Sequence, residues 1–172
     1  MTTAEICNAF SLTAEARQAV AAASTPKQVL AVLAEKQLLT DALQFVAHAL
    51  PKRQAVWWAA KCVRQVNPAP PPEAAAALDA AEKWIAEPTD EHRKAAMDAA
   101  NKAELSTPAG CTGLAAFYSS GLGPDPKAEF MTAKAAGAAV LMAATAGPPE
   151  SVQTHFREFL TKGIELVNRT HP

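Results

Sequence analysis

The side chains able to do chemistry in this chain are few and widely scattered. The histidines are His48, His92, His155 and His171, and the cysteines are Cys7, Cys62 and Cys111. No two histidines stand one helical turn apart and no Cys-x-x-Cys occurs. Neither arrangement that brings two ligands to one zinc ion is therefore present, and no metal site is expected. Gly121-Leu122-Gly123-Pro124 holds two glycines but no Lys-Ser/Thr follows, and no strand pattern precedes. It reads as a helix stop and a turn rather than a phosphate cradle. Asp90-Glu91 falls in a helix first turn, where paired carboxylates complement the helix dipole and need no catalytic role. The expected inventory is thus no catalytic residue, no cofactor and no metal.

Two thiols deserve separate treatment. Cys62 shares an apolar helix face with Ala55, Ala59 and Val66, the setting of an inert buried cysteine. Cys111, in Ala109-Gly110-Cys111-Thr112-Gly113, stands near a helix start, where the dipole can lower a thiol pKa. An enzyme with a Cys/His site would be built around Cys111, with His92 or His155 brought to it by the fold. The other reading is a small residue at a tight helix contact. His48 points away from the stripe of Leu43, Val46 and Leu50 and is expected in solvent. His92 and His155 read as boundary packing.

Charge is distributed unevenly along a chain of net charge −1. From Pro51 to Val66 the charged residues are Lys52, Arg53, Lys61 and Arg64, all basic. From Glu73 to Glu91 the acids Glu73, Asp79, Glu82, Glu87, Asp90 and Glu91 face Lys83 alone. The basic helix and the acidic segment are either an internal electrostatic match or a two-signed surface for a partner. Four basic residues in a chain of pI about 6.4 do not make a nucleic-acid binder.

The elements that must position these residues are helices. Roughly a quarter of the residues are alanine, the strongest intrinsic helix former, and β-branched and aromatic residues are sparse. Threonine and proline punctuate the chain at helix starts. Starts are expected at Thr13, Thr25-Pro26, Thr40-Asp41, Pro51, Glu73, Thr89-Asp90, Thr107-Pro108, Asp125-Pro126 and Pro149. The fold class is all-α: one bundle of about eight helices over residues 1–172, with Asn67-Pro68-Ala69-Pro70-Pro71-Pro72 as a stiff connector inside it. Stripes at helical spacing run along the Glu73 helix (Ala74, Ala77, Leu78, Ala81, Trp84, Ile85) and along the last helix (Val152, Phe156, Phe159, Leu160, Gly163, Ile164, Val167). The apolar run from Ala135 to Pro149 is shorter than the ~20 residues a membrane span requires, so it reads as a buried central helix. The first residues lack the pattern of a secretion signal, and the expected location is the cytoplasm.

The run Leu50-Pro51-Lys52-Arg53-Gln54-Ala55-Val56-Trp57-Trp58-Ala59 resembles the hallmark of an uncharacterised bacterial family of small helical proteins. Ala81 and Trp84 before Pro88, Pro108-Ala109-Gly110 before Ala115-Ala116-Phe117, and Phe159-Leu160 before Gly163 fit the same pattern. Members often occur near type VI secretion genes, so the resemblance implies an adaptor or chaperone-like accessory role with another protein as partner, a secretion-system component or effector. It supplies no catalytic residues. A second resemblance, of Ala115-Ala116-Phe117-Tyr118 through Gly121-Leu122-Gly123 to Lys134-Ala135-Ala136, is to one unit of a Sel1-type helical repeat, which implies a helical scaffold. No second copy follows, and arrays need about three units.

Trp57 carries the sharpest functional expectation. On a helical wheel Ala55, Ala59, Cys62, Val63 and Val66 form the core face, with Trp58 at its edge. Trp57 falls nearly opposite, beside Arg53, Lys61 and Arg64. Either a second helix covers it, or it is part-exposed, stacked by an arginine, and anchors a partner through these four residues.

Overall fold

The computed structural model describes residues 2–120 and 130–171. These form ten α-helices and no strand: α1 (Thr3–Asn8), α2 (Ala14–Ala19), α3 (Pro26–Glu35), α4 (Leu39–Ala49), α5 (Lys52–Val66), α6 (Pro72–Ala86), α7 (Asp90–Lys102), α8 (Pro108–Phe117), α9 (Met131–Thr145) and α10 (Pro149–Thr170). The all-α class stands. The hydroxyls of Thr2, Thr13, Thr25, Thr89 and Thr107 each accept the backbone N–H three residues on and so cap α1, α2, α3, α7 and α8. Each such cap stabilises its helix by about 1 kcal/mol. At Thr2 and Thr25 the side chains of Glu5 and Gln28 return the bond, completing capping boxes. The short α1 is an addition to the sequence-based list, although its Thr2-Thr3-Ala4-Glu5 box is visible in the sequence. The expected start at Asp125-Pro126 and the expected stop at Gly121 lie outside the described residues.

Why the helices assemble as they do follows from α9. Ala135, Ala136, Gly137, Ala139, Val140, Ala143 and Ala144 are all buried, and α4, α5, α8 and α10 pack against the helix, while Lys134, Ala138, Leu141, Met142 and Thr145 form a half-exposed stripe and the expected central run beyond Thr145 is exposed. Methyl side chains let these neighbours approach closely. At Gly137 an added Cβ would lie 2.6 Å from Oε1 of Gln44 on α4. The buried side chains on both sides of residues 67–72, such as Leu33 and Val63 before and Leu78 and Ala115 after, belong to one apolar cluster. The core placement of Trp84, Phe156, Phe159, Leu160, Gly163 and Val167 agrees with their stripes.

Helix α5 is buried more widely than its wheel suggests. Val56 and Ala60 join Ala55, Ala59, Cys62 and Val63 inside, while Val66 is only half-buried. Trp58, expected at the edge, is fully buried, and its indole N–H donates to the carbonyl of Phe159 at 3.1 Å. An unpaired indole N–H at that depth would cost about 1–3 kcal/mol. One turn along α10, Gly163 admits α4 and α5 together. A Cβ there would stand 2.6 Å from Cγ1 of Val46 and 3.3 Å from Cζ2 of Trp58.

Two polar groups are also buried on α4. Asp41 accepts from the backbone N–H of Thr13 at 2.8 Å and from its hydroxyl at 2.9 Å, so the carboxylate ties α2 to α4 and is satisfied. His48 corrects the expectation of a solvated side chain: it is 3% exposed. The wheel places it off the main stripe, but Phe10, from the segment before α2, stacks on the ring with centroids 4.8 Å apart, and Phe130 lies 6.2 Å away on α9's entry. A second layer contributed by distant segments covers what α4 alone would expose.

Gly163→Ala should lower stability by ~1–3 kcal/mol, because the added methyl meets Val46 and Trp58 in a packed core. Chemical denaturation measures this directly. A midpoint equal to wild type would mean that α10 does not approach α4 and α5 so closely.

Candidate functional site

The basic residues of α5 are positioned by the element packed beside them. Arg64 donates from Nε and Nη2 to Glu82, each at 3.0 Å, and from Nη2 to Asp79 at 2.6 Å. Lys61 stands 3.5 Å from Glu82. Arg53 donates to the carbonyls of Ile85 at 2.5 Å and Ala86 at 3.3 Å, satisfying the last turn of α6, where the dipole also favours a cation. The basic segment and the acidic segment are therefore an internal electrostatic match. These pairs are part-exposed, and each contributes ~0.2–1 kcal/mol. The carboxylates of Glu82 and Asp79 hold the Arg64 guanidinium above its usual pKa.

With Arg53 and Arg64 turned toward α6, neither covers the indole next to them. Trp57 is 40% exposed, one of two large apolar side chains so open among the described residues, with Leu105. Cover by a second helix is thus overturned, and so is the stacking by an arginine. Among the described residues the cation–π contact is Arg93 over Phe117, at 4.7 Å. Trp57 instead walls an open, mainly apolar cleft of about 470 Å3 between α5, the end of α6 and the end of α10. Ile85 and Leu166 complete its floor, and Arg53 and Arg169 its rim. Gln54, also lining it, has a buried Oε1 with no hydrogen-bond partner. The cleft offers one apolar aromatic plate, two cations and one unpaired acceptor, and no nucleophile. Leu166 and Arg169 were not singled out from sequence. They stand at least 109 residues beyond Trp57 along the chain, and no local pattern encodes the meeting.

The thiols behave differently from one expectation. Burial pushes the Cys62 thiol up to about 12. Burial also raises the Cys111 thiol, which corrects the idea that the helix start lowers it. Cys111 Sγ donates to the carbonyl of Leu105 at 3.1 Å, so its hydrogen-bond partner is a backbone oxygen and not an imidazole. His92 Nδ1 bonds the carbonyl of Glu87 at 2.9 Å, and His155 stacks on Phe159. Among the described residues no group of three or more His, Cys, Asp or Glu side chains converges as a metal site would require, and no helix is long and apolar enough to cross a membrane.

An all-α protein with its clefts at the meeting of helix ends is the class these features define. The chain belongs to a family of unknown function, DUF6931, whose family model matches residues 29–167. No curated protein and no solved structure matches the chain.

Alkylation should follow burial and thiol pKa. In the native protein near neutral pH, half-buried Cys7 reacts first, and Cys62 stays unmodified until the chain unfolds. Mass mapping after timed iodoacetamide treatment reads this order. Early labelling of Cys62 would contradict its burial under α9 and α10.

Proposed function

We propose that the chain is a non-catalytic protein-binding module, adaptor or chaperone-like, and that its partner seats an apolar side chain against Trp57. The single observation that carries this reading is the open indole beside two arginines in a cleft with an unpaired acceptor. Tryptophan and arginine are the residues that dominate interface energetics, and a desolvated amide oxygen gains most from a donated hydrogen bond. The rim cations Arg53 and Arg169 favour a partner segment that pairs its apolar anchor with a carboxylate and donates an N–H to Gln54. Lys61 and Arg64 serve indirectly, by holding α6 beside α5 through Glu82 and Asp79 and so shaping the cleft. The resemblance of the Leu50–Ala59 run extends the proposal to the partner's origin: a component or effector of a bacterial type VI secretion system, met in the cytoplasm.

Trp57→Ala tests the reading. The melting temperature should fall only modestly, because two-fifths of the residue is already in solvent in the free chain. Affinity for the partner, identified by co-purification with cross-links mapped to the cleft, should fall by ~2 kcal/mol or more. A variant that melts far below wild type, or one that binds the cross-linked partner unchanged, would rule out the anchoring role.

A further inference from the structure

A second cleft lies on the far side of α4, away from Trp57, and its chemistry is different. It measures about 640 Å3, opens to solvent, and is lined by Asn8, Phe10, Ser11, Arg17, Thr40, Gln44, His48 and Lys134. Two cations and several amide and hydroxyl groups line it, and no carboxylate among the described residues does. Neither Arg17 nor Lys134 has an ion-pair partner among the described residues. The nearest buried acid, Asp41, is already held by Thr13.

His48 supplies the second, independent observation. Its Nδ1 lies 2.8 Å from the carbonyl of Gln44. A carbonyl only accepts, so Nδ1 carries the hydrogen. Burial, opposed by this bond and assisted by the charge of Lys134, holds the imidazole below the usual histidine range. The ring is therefore neutral near pH 7, and Nε2 is a bare acceptor. That nitrogen is buried and has no hydrogen-bond partner. An unmet acceptor in a residue that is 3% exposed is a deficit that a bound donor would remove. His48 also lines a smaller neighbouring cavity of about 180 Å3, whose cation is Lys52.

We propose that this cleft binds a small anionic polyol, a phosphate or carboxylate carried on a hydroxyl-bearing skeleton. The anion sits between Arg17 and Lys134, where charge-assisted bonds are strongest. A hydroxyl of the skeleton donates to His48 Nε2 once the side chains over that nitrogen shift to admit it, because the acceptor needs a hydrogen and a fully deprotonated anion has none to give. Asn8, Ser11, Thr40 and Gln44 meet the remaining hydroxyls. A cleft of this size holds a molecule of several heavy atoms beyond the anion itself, within the range of small-molecule sites.

The test uses the full chain and four probes: glycerol 3-phosphate and glycerate, which carry both features, glycerol, which lacks the anion, and sulfate, which lacks the hydroxyl. Calorimetric titration should give at least one of the first two binding about tenfold or more tighter than either control, and the tighter of the two identifies phosphate or carboxylate. Nitrogen-15 NMR should show the His48 Nε2 signal shifting with that probe and not with sulfate. Arg17→Ala and Lys134→Ala should each weaken binding about tenfold, and Lys52→Ala should not. His48→Phe keeps the stack on Phe10 and should erase the preference over sulfate. Should that variant fail to fold, the wild-type Nε2 signal still decides. No saturable binding, equal binding of sulfate, or an unmoved Nε2 signal at saturation would each overturn the proposal.

Discussion

Helix α9 has almost nothing polar along its middle, and the rest of the structure is arranged to keep water from it. A run of alanine, glycine and valine buried around most of its circumference can exist only where several helices pack against it at once. Small side chains set how near those helices come, so α4, α5, α8 and α10 pack closely against it, with the Gln44 side chain lying close to where a Cβ on Gly137 would be. Dispersion contacts and removal of apolar surface from water, at ~25 cal/mol per Å2, supply the stabilisation that the part-exposed ion pairs of α5 and α6 do not. The same crowding explains Gly137 and Gly163, where a methyl would meet a side chain of α4.

Surrounding α9 has consequences for α4 and α5, which face it and are then covered in turn by α10. Each retains only a narrow outward stripe. On α5 that stripe holds Arg53, Trp57, Lys61 and Arg64, and α6 takes the charges. Trp57 is left without a cover because the two arginines that could lie across it have stronger partners, a helix C-terminus and a pair of carboxylates. On α4 the outward stripe holds Gln44 and His48, and the short N-terminal segment folds over it without satisfying Nε2. Both clefts are thus by-products of one packing requirement: the leftover faces of helices committed to α9.

The decade from Leu50 to Ala59 shows how densely this geometry is written into a short stretch. Leu50 and Pro51 end α4 and begin α5. Arg53 satisfies the carbonyls of α6, Ala55, Val56 and Ala59 pack inward, and Trp58 reaches the backbone of α10. Gln54 and Trp57, the two positions of the decade with an unmet acceptor and an open ring, line the same cleft. Structural and binding roles alternate residue by residue because adjacent positions on a helix face directions about 100° apart.

By itself the sequence determined the helices and most of their starts, since a threonine hydroxyl three residues from an N–H, or a proline at the first helical position, acts within one turn. It also determined that α9 is largely interior, because only Lys134 and the threonines at its ends are polar. Tertiary structure alone decided the rest. Wheel position said that His48 points off its stripe, but burial depends on Phe10 and Phe130 from elsewhere. A helix start near Cys111 suggested a lowered thiol pKa, yet burial raises it, with Sγ bonded to the carbonyl of Leu105. Whether Trp57 would be covered turned on where Arg53 and Arg64 find their partners, fifteen or more residues away on α6. Periodicity reports which residues share a face. What lies opposite that face is set by chain segments whose contacts have no local signature, and there the open indole and the unpaired imidazole were decided.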